Sequence, residues 1–263
     1  MTTVGHQIGA FFIWSRDHVA RGLIRLGVTP NILTVLGMLI TVAAAIFFGL
    51  GWHLAAGAAL VAAGACDMLD GAVARLGGKF TRFGGLLDST CDRVGDIALL
   101  AGLCFYYLVT WTAEGPLGAD RHGNLTYGLL AMLAIVNVTL ISYIRARAED
   151  TINHCEVGFW KRGERYAAMV IGAFARNPAM ILWELGIWAA ATALYRLVYA
   201  RNVLEGRDVT VRRGLAAELV FFDRPRGSWA YDIHTGAAIA LLIFARIPET
   251  DFVRELLGRL SGG

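Results

Sequence analysis

Four aspartates stand where an apolar chain should not carry them. Asp67 and Asp70 are three residues apart, and Asp88 and Asp92 four apart, so on helices each pair shares one face. A short basic loop with Lys79 and Arg82 separates the two pairs, and long apolar stretches lie outside them. The two faces can therefore meet as an antiparallel helix pair. An Asp at mid-depth in a membrane helix costs about 2.5–3.5 kcal/mol, and less near the interface. Four converging like charges cost more unless a cation neutralises them. An all-oxygen carboxylate cluster suits a hard divalent ion, Mg2+ or Mn2+, and Mg2+ commonly shares its coordination with substrate phosphates. Gly71, Gly84 and Gly85 leave room beside the acids for something bulky. Solvation at a helix end would explain one such Asp, but not four at these spacings.

The elements that must position these acids are membrane helices. Of 263 residues, 56% are hydrophobic and only 17% charged, with a mean hydropathy of +0.54. A soluble chain of this length is about 45–50% apolar and about a quarter charged. The excess implies a bilayer solvent and an all-α polytopic membrane protein. Disorder, collagen, a small disulfide scaffold and an ordinary soluble enzyme are excluded as fits. The net charge of +3, from 24 basic against 21 acidic residues, is too balanced for a nucleic-acid binder. Cys66, Cys91, Cys104 and Cys155 have no CxxC spacing and read as small hydrophobes. Arg16, Asp17, His18 and Arg21 interrupt the N-terminal apolar pattern, so no cleavable signal peptide is expected.

Residues 7–27 alternate apolar and charged side chains as an amphipathic interfacial helix does. Six spans are expected at about 31–51, 54–76, 83–112, 125–147, 166–177 and 179–201, the fifth short as written. Arg75, Lys79, Arg82, Arg145, Arg147, Lys161, Arg162, Arg165, Arg201, Arg207, Arg212 and Arg213 all fall on one side. The positive-inside rule makes that side cytoplasmic, and with it the acids. Residues 1–203 then form the membrane domain. Residues 204–263 form a more polar tail, whose apolar stretch near 235–247 is short of the roughly 20 residues that cross a bilayer.

The pattern Asp67-x2-Asp70-Gly71-x2-Ala74-Arg75-x8-Gly84-x3-Asp88-x3-Asp92 resembles, at every fixed position, the signature of the CDP-alcohol phosphotransferase family. The likeness runs over roughly residues 5–203 and includes Thr29-Pro30-Asn31 before the first span. It implies transfer of a phosphoryl-alcohol unit from a CDP-linked donor, usually CDP-diacylglycerol, to an acceptor hydroxyl, with release of CMP. By the same resemblance Asp67, Asp70 and Asp88 hold a pair of metal ions, and Asp92 joins the metal site and acts as general base. Asn31, Asp67, Gly71, Ala74, Arg75 and Thr81 take the CDP part of the donor. A homodimer among membrane lipids is implied as well.

The run from Thr81 to Arg93 and the stretch Ser142-Tyr143-Ile144-Arg145-Ala146-Arg147-Ala148-Glu149 are similar to the phosphatidylinositol-phosphate synthase branch. Lys161-Arg162-Gly163-Glu164-Arg165 resembles its E-R-P-E-R loop, departing at two positions. Inositol phosphate is then the implied acceptor, with Arg145, Arg165 and Arg196 as its phosphate contacts. Arg147, Lys161, Arg162 and Arg201 are assigned to topology and lipid headgroups. Asp96 continues the Asp88/Asp92 face as a helix-pairing residue. Glycerol phosphate or another polar alcohol stays open as the acceptor. Two rivals lie outside this chemistry: a divalent-cation transporter, which predicts ionisable residues through to the far side, and a non-catalytic scaffold, which leaves the acid spacing unexplained.

Overall fold

The computed structural model describes residues 4–111, 123–207, 226 and 228–261. Among these every regular element is helical. Helix α1 (Val4–Arg25) precedes α2 (Pro30–Gly49), which opens on a proline after extended Thr29, where a missing N–H costs nothing. A tight turn with Gly51 at φ 78° leads into α3 (His53–Leu76), and a second with Gly78 at φ 61° leads out. The hydroxyl of Thr81 accepts from the Gly84 amide at 2.9 Å and caps α4 (Arg82–Phe105), which continues as a π-helical turn over Tyr106–Thr110. Then come α5 (Leu125–Glu149), α6 (Arg162–Phe174), α7 (Pro178–Trp183), a π-helical turn over Glu184–Trp188, and α8 (Ala189–Leu204). The tail contributes α9 (Trp229–Phe244) and α10 (Phe252–Ser261).

Five helical stretches are long and apolar enough to cross a membrane: Pro30–Gly49, His53–Leu76, Arg82–Thr110, Leu125–Glu149 and Pro178–Leu204. The protein is therefore integral to a membrane, and its fold follows the expected plan of an interfacial helix and a bundle. The short fifth span is α6, shifted from 166–177 to Arg162–Phe174 because the basic residues Arg162 and Arg165 are wound into its first turn. At 13 residues it rises only about 20 Å, against a hydrocarbon core of about 30 Å. Arg176, at φ 51°, reverses the chain, and the Asn177 side chain caps α7 by accepting from the Met180 amide.

Helix α9 runs alongside α6 from end to end. Tyr231 donates to Glu164 at the start of α6, and Asn177 donates to the carbonyls of Leu242 and Ala245 beyond its end. The apolar stretch of the tail, short by the count of residues, thus reaches the same depth as α6. Beyond it Tyr107 and Trp111 donate to Glu249, and Asp251 accepts from the backbone amides of Leu125 and Thr126.

Lipid is as apolar as leucine, so helix association must come from close packing. The core is accordingly rich in alanine, with Ala44, Ala45, Ala56, Ala131, Ala134, Ala168, Ala173 and Ala189 around Phe48, Tyr107 and Leu103. At Gly102 the helices α4 and α2 are so close that a Cβ would lie 2.2 Å from the Ala45 carbonyl oxygen. Leu39, Ile46, Val61, Ile97, Val136, Leu194 and Leu197 stay exposed and form a lipid-facing surface. Helix α1 buries Ala20 against Leu33 at the start of α2 and Ala72 and Val73 near the acid-bearing end of α3, and exposes Phe11, Phe12 and Trp14.

Candidate metal and active site

Helices α3 and α4 bring their acidic ends together. Carboxylate oxygens of Asp67, Asp70 and Asp88 lie within 4.8 Å of one another, a separation that a shared cation can bridge. Asp70 is the most buried of the three, and the Thr34 hydroxyl of α2 donates to its Oδ2 at 2.7 Å. That bond fixes the carboxylate from a third helix. Asp92, one turn beyond Asp88, lines the same cavity of about 380 Å³ with Thr34, Thr41, Cys91 and Tyr166. The donor set is all oxygen, three carboxylates converge, and among the described residues their one ion-pair partner is Arg162, on Asp67. These residues fit a hard divalent cation such as Mg2+ or Mn2+.

Arg162 corrects an expectation. Assigned from sequence to topology and headgroups, it instead enters the acid cavity from the first turn of α6. Its Nη1 donates to Asp67 Oδ1 at 3.1 Å, and its Nη2 pairs with Asp92 Oδ1. A substrate anion entering this cavity meets a guanidinium already in place.

The three arginines expected at the acceptor phosphate each hold partners within the protein. Arg165, buried, spans from Asp96 Oδ2 at 2.8 Å to the Trp160 carbonyl at 3.0 Å and so ties α6 to α4. Arg196, equally buried, donates to the carbonyls of Val157 and Ile141 and holds the loop after α5. Arg145 is half-exposed and paired with Glu149 and Glu156. None of the three lines the acid cavity. Asp96 does line it, and its partner Arg165 accounts for the helix pairing expected of it.

The residues expected at the donor gather at the same end of the bundle. Gly71 and Ala74 follow Asp67 and Asp70 along one face of α3. The Arg75 guanidinium folds back over Gly71, with Nη1 3.2 Å from where a Cβ would stand. At the start of α4, a Cβ on Gly84 would lie 3.0 Å from Thr81 Oγ1 and 3.4 Å from Asn31 Oδ1, so a side chain there would crowd both.

Sequence reasoning missed Thr34, Arg162 and Arg226. A hydroxyl inside a charge-free span was the available signal for Thr34. For Arg162 it was the spacing of three to Arg165. Arg226, from the tail, lines the cavity while paired with Glu164 at 2.8 Å, and no signal in the chain points to it.

The CDP-alcohol phosphatidyltransferase family model matches residues 27–198. The phosphatidylinositol phosphate synthase of Mycobacterium tuberculosis is 37% identical over 181 residues, covering 66% of this chain and 78% of that protein. The archaetidylinositol phosphate synthase of Pyrococcus horikoshii is 32% identical over 190 residues, covering 72% and 92%. Among solved structures, the M. tuberculosis phosphatidylinositol phosphate synthase with CDP-DAG bound superposes with a TM-score of 0.61 at 31% identity, covering 70% of this chain and 92% of that one. The same enzyme in complex with manganese and citrate gives 0.64 at 30%, covering 78% and 99%.

Proposed function

The chain belongs to the CDP-alcohol phosphatidyltransferase family, and from that premise we propose that it moves a phosphatidyl group from CDP-diacylglycerol to inositol phosphate, releasing CMP. The observation that carries this reading is the convergence of Asp67, Asp70 and Asp88 within 4.8 Å, with Asp92 on the same cavity. The named relatives support the acceptor and the donor: phosphatidylinositol phosphate synthases recur among them, and one was crystallised with CDP-DAG.

In this reading Asp67, Asp70 and Asp88, with Asp92 at their edge, hold Mg2+ or Mn2+, two ions in all. The bound metal supplies neutralisation of the donor diphosphate and stabilisation of the CMP leaving group. Asn31, Gly71, Ala74, Arg75 and Thr81 receive the cytidine and its phosphates at the ends of α2, α3 and α4. Asp92 takes the proton from the acceptor hydroxyl. The freed oxygen bonds to the phosphorus that carries diacylglycerol, and the bond from that phosphorus to CMP breaks. Arg162, already in the acid cavity, is assigned to the acceptor phosphate together with Arg145, Arg165 and Arg196, which at present hold Glu149, Asp96 and backbone carbonyls.

Residues 1–203 are the catalytic domain in this proposal, and residues 204–263 an appended tail. The basic residues that cluster at the acid end support a site opening to the cytoplasm. A homodimer is part of the same proposal, on family resemblance.

Turnover of labelled CDP-diacylglycerol by the purified protein tests the reading. Lipid product and CMP are expected with inositol phosphate and Mg2+ or Mn2+, and a chelator should stop both. Preference for glycerol phosphate would move the acceptor assignment. Failure with every hydroxyl acceptor, metal present, would end the transferase reading.

A further inference from the structure

A second cavity, of about 290 Å³, lies between α6, the π-helical turn Glu184–Trp188 and α9. Its walls are largely apolar, with Phe159, Trp160, Ile171 and Leu242 among them. Two carboxylates interrupt them. Glu184 is 0% exposed, and neither of its oxygens has a hydrogen-bond partner among the described residues. Glu164 uses Oε1 for Arg226 and Tyr231, while its buried Oε2 has none. Glu184 begins about 9 Å into the Pro178–Leu204 span, at six residues of 1.5 Å each. A π-helical turn there loosens the regular ladder, as such turns often do at functional positions.

A buried carboxylate oxygen without a partner is costly, and here Glu184 presents two and Glu164 one to the same space. Of the four orphan atoms on its wall, the three carboxylate oxygens accept and the Thr235 hydroxyl can donate or accept, while Arg226 is spent on Glu164 Oε1. An occupant that donates hydrogen bonds or carries positive charge therefore suits it. The volume is near the lower end of small-molecule pockets, roughly 300–1,000 Å³, and several times the roughly 30 Å³ of one water. Aromatic Phe159 and Trp160 on the wall favour a soft, weakly hydrated cation over a bare metal ion. Helix α9, which closes the cavity, lies beyond the residues 27–198 that match the family.

We propose that this cavity binds a small organic ammonium with an apolar body, its charged head against Glu184 and the free oxygen of Glu164. The site stands apart from the acids of α3 and α4 and holds whether or not the transferase reading does. Thermal unfolding of the full-length protein in detergent, titrated with n-butylammonium at neutral pH, is the test. A saturable rise in Tm is expected, and none with n-butanol at the same concentrations. Glu184→Gln should weaken the apparent affinity tenfold or more. Ala238→Phe, which fills the cavity and leaves Glu184 in place, should abolish the response. It decides the question if the glutamine variant does not fold. An equal response to n-butanol, or a rise unchanged in the cavity-filling variant, overturns the proposal.

Discussion

Arg162 Nη2 closes an ion pair on Asp92 Oδ1, so the proposed base is held by a cation from a different helix. The same guanidinium donates to Asp67 at 3.1 Å and thus offsets two of the four acids at once. Arg162→Ala strips both and removes a phosphate-ready group from the cavity. Charge-assisted contacts contribute about 1.5–3 kcal/mol, so the KM for inositol phosphate should rise roughly ten- to a hundredfold. Donor affinity should change far less, and Arg162→Lys should recover part of the loss. An unchanged acceptor KM in steady-state kinetics would remove Arg162 from acceptor binding.

Asp92→Asn keeps the shape of the site and loses the proton acceptor. Transfer should stop while CDP-diacylglycerol binding persists, because Asp67, Asp70 and Asp88 remain. The same change at Asp67 or Asp70 should instead weaken donor binding and raise the metal concentration needed for half-maximal activity. Turnover near normal in the first variant, or unaltered metal dependence in the second pair, would break the assigned division of labour.

Arg165 and Arg196 separate stability from acceptor affinity. Both are buried against Asp96 or backbone carbonyls, so an alanine leaves those partners unsatisfied. Removing one side of a buried pair costs about 3–5 kcal/mol, and Arg165→Ala should therefore lower Tm markedly. If Arg165 also serves the acceptor, as the proposed function assigns, acceptor KM should rise with it. Arg201 is exposed and paired with Glu205 at 2.8 Å, so Arg201→Ala should change neither by much. Acceptor KM at wild-type levels in folded Arg165 and Arg196 variants would confine Arg165 to tying α6 to α4 and Arg196 to holding the loop after α5.

What the sequence makes legible here is whatever local spacing encodes. Charge-free runs between Pro30 and Gly49 locate a span, and the i, i+3 and i, i+4 spacings place four acids on two facing helices. Partners set by tertiary packing are not local. Thr34 meets Asp70 from 36 residues away, and Arg162 meets Asp67 from 95. Arginines at the acid-bearing end of the bundle all look alike in sequence. Only the turn of α6 decides that Arg162 faces the acids while Arg165 faces Asp96. The tail hid its role for a similar reason: α9 is too short to span by residue count, yet α6 beside it is shorter still.

The far end of the tail offers a pH test. Burial alone would push the Asp251 carboxyl up, but the amides of Leu125 and Thr126 and the Thr126 hydroxyl outweigh it and hold it below its ordinary value of 3.8. A carboxylate that caps a helix start in this way contributes about 0.5–2 kcal/mol. Because the folded value is depressed, the stabilisation is fully present above the ordinary carboxyl range and is lost as pH falls through the folded value. Asp251→Asn should therefore lower Tm by a near-constant amount between pH 5 and pH 8, values well above the range of roughly 4 in which the unfolded group titrates. The gap to wild type should close as the medium is taken below pH 4. Thermal scans at matched ionic strength measure both. A gap that stays open in acid would mean that the Asn fails for lack of shape and not of charge, and a gap absent at neutral pH would mean that α5 does not depend on the tail.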